Sequence, residues 1–270
     1  MAARRPTLDV LTFHGVMIGL SIIALIVLVA PSAVVLIVSF TSGFSLKFPP
    51  PGWSTRWYVE LWNAWQLQFA AKNSFVVAAW STGLSIVLGV AAALPIARSK
   101  TLSARILDSV FMSPLVLPAL AFGLAGLMFF SAIGLPVSKV TLVIGHTVVC
   151  VPFVVRNTIA SLAQLDPVLL ECSASLGASR FTTFRRITLP LVKPGILSGG
   201  FIAFMSSFDN VPVSLFLRDA ATDMLPIRMW QDLEGRLDVT IAALSGVLIV
   251  ATVAVMILME RVTGLSRRLA

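Results

Sequence analysis

The chain alternates long uncharged stretches with short polar ones, and this rhythm sets its elements. No Asp, Glu, Lys or Arg occurs from Val10 to Leu46, from Asn73 to Ala97, from Ser109 to Ser138 or from Val239 to Met259. An apolar helix needs about 20 residues to cross a hydrocarbon core about 30 Å thick. These stretches therefore predict spans near 15–40, 73–97, 109–130 and 239–259. Two further spans carry polar interruptions. One covers about 138–160, flanked by Lys139 and with Arg156 late in it; the other covers about 195–217 and contains Asp209. Long basic side chains near a helix end reach the interface, so Lys139 and Arg156 are compatible with a span. The expected fold is all-α and integral to the membrane, with six transmembrane helices. Ser85, Gly89 and Ala93 in the second helix, and Ala242 and Gly246 in the last, recur every four residues, a spacing that favours close helix packing.

Composition agrees with this reading: 57% of the 270 residues are hydrophobic and 12% are charged, about half the charged share of a soluble domain. A net charge of +8 would ordinarily raise nucleic-acid binding, but the placement of the charges gives it another meaning. With the N-terminus inside, the internal segments hold Arg4, Arg5, Arg98, Lys100, Arg105, Arg156, Arg180, Arg185, Arg186, Lys193, Arg261, Arg267 and Arg268, thirteen of the twenty basic residues. The excess of basic residues on that side predicts that both termini are cytoplasmic, with no nucleic-acid partner. The first apolar stretch is longer than the roughly 7–15 residues of a signal-peptide core, so it reads as a retained anchor. The chain then divides into an N-terminal segment 1–14, a first transmembrane helix 15–40, an external loop 41–70, a five-helix core 71–262 that includes an internal loop 161–194, and a tail 263–270.

The external loop pairs Pro49, Pro50, Pro51 and Gly52 with Trp53, Trp57, Tyr58, Trp62 and Trp65, which suits either a belt at the headgroup level or an aromatic ligand box. In the internal loop, Asp166-Pro167 forms an N-cap with proline at the first helical position, and Gly177 is placed to end the helix. A second short helix is expected from Ser179 to about Thr188, stopping before Pro190. Val168, Leu169, Leu170 and Leu176 are more apolar than a solvated loop requires, so a partner surface is expected to cover them.

Glu171, Gly177, Ile187, Leu189 and Pro190 reproduce the spacing E-x-x-x-x-x-G-x(9)-I-x-L-P. This loop resembles the one found in membrane subunits of bacterial binding-protein-dependent type I ABC importers. Where the family usually has two alanines after the glutamate, this chain has Cys172 and Ser173, both small. The resemblance covers roughly 60–262 and is to the second permease subunit of the spermidine/putrescine-type subfamily. It is carried also by Asn73-Ser74, Pro114 to Pro118, His146-Thr147, Pro152-Phe153, Ser207-Phe208-Asp209 and Leu225-Pro226-Ile227. The resemblance implies that the helix at 171–177 couples to a separate ATPase dimer. It also implies a second permease, a periplasmic or lipid-tethered substrate-binding protein and a location in the bacterial inner membrane. None of the five lysines follows a glycine, so no Walker loop is present. The chain is accordingly expected to be no enzyme and to bind no cofactor itself, with ATP and Mg on the partner. Arg180, Arg185 and Arg186 suit either lipid contact or contact with that ATPase.

Asp209 is an acid placed inside a span, with Asn210 and Pro212 following it and Ser207 before it. Such residues mark either a polar pathway or a paired or hydrated structural site. Proline at 212 frees the carbonyl one turn back, so the helix is expected to bend or open near Phe208. His146 reads more readily as a satisfied packing residue than as a ligand. Two cysteines and two histidines leave little material for disulfides or a metal site. The resulting expectation is a permease for a polyamine or other organic cation, with Asp209, Asn210 and Ser207 on the path. Opines, phosphonates and ferric iron are the alternative cargoes, and an ion-gradient-driven secondary transporter is the alternative class.

Overall fold

A computed structural model describes residues 8–236 and 239–263. The segment bearing Arg4 and Arg5, and the tail bearing Arg267 and Arg268, lie outside the described residues. The described chain is nearly all helical and divides into two compact units, one reaching Ala64 and including Asp232–Val253, the other spanning Trp65–Gln231 and resuming at Ala254.

In the first unit, helix α1 (Leu8–Val38) leaves almost all its side chains exposed from Phe13 to Ala30, as a helix meant for lipid or a partner must. The loop after it is pinned by the Ser42 amide donating to the Gly52 carbonyl (2.9 Å) and the Ser54 amide donating to Phe40 (2.7 Å). Helix α2 (Arg56–Asn63) begins with a guanidinium stacked 3.9 Å from the Phe44 ring centroid and 4.3 Å from that of Trp57. Trp57 packs inward against Val239 and Ala243, and the Tyr58 hydroxyl hydrogen-bonds Ser39 at 2.7 Å. Trp53 and Trp62 are exposed, so these aromatics split between core and surface rather than closing a box. Gly246 sits where a Cβ would lie 3.1 Å from the Tyr58 hydroxyl, which matches the packing role expected of it.

The second unit is built on helices α3 (Trp65–Arg98), α6 (Lys139–Ala163) and α9 (Leu189–Phe208). Small residues set their separation. A Cβ on Gly89 would lie 2.8 Å from Val154, and one on Gly199 would lie 2.9 Å from the Val154 Cα, so α6 is gripped from both sides at that residue. Ser85, Gly89 and Ala93 are all buried. Helix α3 starts at Trp65, eight residues before the uncharged stretch begins, because the polar turn 65–72 has good helix formers and Asn73-Ser74 lies within the helix.

Two spans differ from expectation. The stretch read as one helix near 109–130 is a pair, α4 (Leu102–Val116) and α5 (Ala119–Ala132), bent by 106°. The cause is Pro118, which pushes the preceding Leu117 out of helical geometry to ψ 143°. The fifth span also shifts. Helix α8 (Arg180–Thr183) does not stop before Pro190 but passes through a π-helical turn, Phe184–Thr188, into α9. The Leu189 amide donates to Phe184, five residues back, and the widened turn accommodates a proline ring that would otherwise press on the carbonyl four residues earlier. This helical path runs Arg180–Phe208, and residues 211–217 form the separate helix α10 (Val211–Leu217). Among the described residues, five helices are long and apolar enough to span a bilayer, or six if the bent pair counts as one span.

Candidate functional site

Two places in the second unit carry the candidate residues. The first is the loop joining α6 to α9. Helix α7 (Pro167–Ser175) starts as expected, with the Asp166 carboxylate accepting from the Val168 amide at 2.9 Å and Pro167 in the first turn. It ends in a glycine-dependent cap. Gly177 adopts φ +76°, its amide donates to Ala174 (2.9 Å), and the Ala178 amide donates to Ser173 (3.1 Å). The Ser179 hydroxyl then caps α8 by accepting from Thr182.

The two residues that replace the family's alanines point in different directions. Cys172 is exposed beside the exposed Glu171, whereas Ser173 is buried and its hydroxyl meets that of Thr183 at 2.8 Å. Ser173 thus ties α7 to α8 within the chain. Val168, Leu169, Leu176 and Phe181 remain exposed, Leu176 to 87% and Phe181 to 71%. Four apolar side chains held out by two short, well-capped helices make a rigid, uncovered knob. Ile187, Leu189 and Pro190 lie at the π turn and its junction with α9, so the spacing that carries the family resemblance links the knob to a long apolar helix.

The second place is the break between α9 and α10. As Pro212 predicts, helix α9 ends at Phe208; Asp209 is its C-cap, and the Asn210 side chain caps α10 by accepting from the Val213 amide at 2.9 Å. Asp209 is exposed at this break rather than inside a continuous helix. Ser207 faces the other way, fully buried, so the three residues grouped on sequence grounds do not share a surface. Ser207 instead meets His146 Nδ1 at 2.8 Å, and Ser214, beyond the break, meets Nε2 at 3.0 Å. Helix α10 is backed by backbone: a Cβ on Gly123 would lie 2.5 Å from the Pro212 carbonyl oxygen, and one on Gly145 would lie 3.0 Å from Val213.

Sequence reasoning missed three sets of polar contacts. The Lys139 ammonium donates to Asn73 Oδ1 at 3.1 Å while the Asn73 amide donates to the carbonyls of Ala221 (3.3 Å) and Asp223 (3.2 Å). The Ser74 hydroxyl accepts from the Leu225 amide at 2.9 Å, joining two stretches that carried the family resemblance. Elsewhere Arg156 lies 3.7 Å from Asp108, an acid that falls within α4. The adjacent polar pair Asn73-Ser74 inside an otherwise apolar helix was the available signal for the first two, and opposite charges near span ends for the third.

Residues 85–268 match the family model described as the binding-protein-dependent transport system inner membrane component. The chain belongs to this family. It is a permease subunit of a binding-protein-dependent ABC importer, in a family of multi-pass inner-membrane proteins. It is 30% identical over 225 residues to the putrescine transport system permease protein PotI of Escherichia coli K12, covering 81% of this chain and 80% of that one. It is 27% identical over 228 residues to the spermidine/putrescine permease PotC of the same strain, covering 84% and 86%. It is also 31% identical over 206 residues to the molybdenum transport system permease ModB of Mycobacterium bovis, covering 71% and 77%. Among solved structures, a bacterial ABC transporter that imports the polysaccharide alginate shares the fold, with TM-score 0.70 and 13% identity over 97% of this chain and 99% of that one.

Proposed function

We propose that this permease passes a polyamine or similar small organic cation, and that the α7 knob transmits ATP-driven closure to the membrane helices. The observation that carries the cargo assignment is the likeness to the putrescine and spermidine/putrescine permeases over about four-fifths of each chain. Asp209 adds physical support. A carboxylate at the C-terminal end of α9, where the helix dipole is also negative, attracts a cation that must leave bulk water.

In this reading the permease pairs with a second permease and receives cargo from a substrate-binding protein on the outside. Its termini and the α7 loop face the cytoplasm. Glu171, Cys172 and the apolar side chains of Val168, Leu169 and Leu176 meet a groove on a separate ATPase dimer, which holds ATP and Mg. The binding protein delivers the cargo, ATPase closure drives α7 inward, and the π turn with Leu189 and Pro190 passes the displacement into α9 as the path opens outward. The break at Asp209-Asn210 lines that path.

Uptake of labelled putrescine and spermidine by membrane vesicles carrying the whole transporter tests the cargo. ATP-dependent uptake of either, inhibited by the other, is the expected result. Asp209→Asn should lower it about tenfold, the effect of one lost charge contact worth roughly 1.4 kcal/mol. Unchanged rate and half-saturation in that variant would remove Asp209 from the path, and uptake of neither amine would remove the cargo assignment.

A further inference from the structure

The break between α9 and α10 is not held together by its own backbone alone. The Asp209 amide closes onto Met205 (3.1 Å) and the Asn210 amide onto Ser207 (3.3 Å), which finishes α9, while the Asn210 side chain starts α10. These bonds meet at Asn210, whose amide goes to α9 and whose side chain goes to α10. A different helix supplies a second, direct tie. His146, on α6 and fully buried, reaches Ser207 on one side of the break with Nδ1 and Ser214 on the other with Nε2. Both serines are themselves fully buried. One turn further along α6 the Cys150 thiol donates to the Ala203 carbonyl at 3.2 Å, so the clamp continues a line of polar contacts between α6 and α9.

We propose that His146 is a positioning residue that fixes α10 relative to α9 and thereby sets how Asp209 is presented. A neutral imidazole has one N–H and one bare nitrogen, so one serine accepts from it while the other donates to it. The two bonds are therefore distinct and cannot be exchanged without reversing the ring's proton. In a buried apolar setting a hydroxyl left without its partner is destabilised, so losing either bond frees the break toward other arrangements. Gly145 beside the histidine lets α6 approach α10 closely enough for the contact, with Val213 and Leu217 against it. The geometry makes His146 a joint between two helix pieces, with Asp209 at the exposed corner.

The functional consequence rests on the permease reading of Asp209, but the test of the joint does not depend on cargo. The whole transporter is expressed with Asp209→Cys in a Cys172→Ser background, so that the other cysteine of this chain is the buried Cys150, and the rate at which a charged maleimide labels this subunit is measured in membranes. His146→Leu, which retains side-chain volume and removes both hydrogen bonds, should change the labelling rate about fivefold, and Ser214→Ala should do so in the same direction. His146→Gln, whose amide carries a donor and an acceptor, should return the rate toward that of the unsubstituted histidine. Adding Ser214→Ala to His146→Leu should change little beyond the leucine variant, because the Ser214 bond is already lost in it. Labelling that is unchanged in Ser214→Ala and His146→Leu, or full additivity of the two, would overturn the joint. Since Ser214→Ala removes one hydroxyl from a helix otherwise intact, it decides the matter even if the leucine variant fails to accumulate. A changed labelling rate, together with no amine uptake by the transporter that retains Asp209 and Cys172, would leave the joint standing and remove the cargo assignment instead.

Discussion

The α7 loop and the α9–α10 break are both short interruptions of a long helical path, yet they are stabilised in opposite ways. Every hydrogen bond given above for the loop spans ten residues or fewer: Asp166 to Val168, Gly177 to Ala174, Ala178 to Ser173, Ser173 to Thr183. The break is held across the sequence, by His146 from sixty-one and sixty-eight residues away and by the bare backbone of Gly123 and Gly145. The loop also leaves apolar side chains outside, while the break buries the hydroxyls of Ser207 and Ser214. The difference teaches what each can do. A locally determined knob keeps its shape while it is pushed, as the proposed coupling role requires; a joint assembled from distant helices changes when those helices move.

Thermal unfolding of the purified permease in detergent, run beside uptake in vesicles, separates the two. The largest effect is expected from Gly145→Val, where new atoms meet Leu217 and Val213: melting should fall, by about 2–3 kcal/mol of overpacking, and uptake should vanish. Gly177→Glu should also take uptake to background, because its φ of +76° and its place in the proposed interface both exclude a large L-residue, but melting should stay near that of the unchanged protein. A large drop in melting would mean the loop supports the core and would erase the contrast. Asp166→Ala removes the N-cap, worth about 1 kcal/mol to α7 alone, and a several-fold fall in uptake that Asp166→Asn restores is expected. Ser173→Ala should be smallest, loosening α7 from α8 by a few tenths to about 1 kcal/mol and reducing uptake less than twofold.

The same contrast explains what could be read from the chain before any coordinates. Asp166-Pro167 and Gly177 announce the loop helix because capping is a matter of neighbouring residues, and the structure places the cap atoms where those residues imply. Pro212 likewise announces the opening after Phe208, since a missing amide has a local effect. The direction of Ser207 was not legible: whether a serine on a helix lines a path or turns inward depends on what the neighbouring helix offers, and here His146 offers a ring nitrogen. Asn73 was seen as part of a resemblance but not as the residue that receives Lys139 and donates to the turn before Leu225, a contact that spans about 150 residues. Pro118 stands in the sequence as part of a stretch of resemblance, while a bend of 106° required α5 to find its place against α10. The π turn was invisible because a helix with Pro190 in it reads as a helix ended, and only the geometry of Phe184 and Leu189 shows that one wider turn carries it on.

That wider turn has a bearing on how the loop and the membrane helix can vary over time. An α-helix advances about 100° per residue, so adding or removing one position normally rotates everything downstream to a new azimuth. A turn that already holds a surplus residue uncouples the two indexing systems: the apolar face of α8 and the buried face of α9 need not obey a common periodicity. Changes in how Phe181 is presented can therefore be absorbed at that turn without re-phasing Val192, Ile196 and Ala203 against their neighbours, whatever surface covers α8.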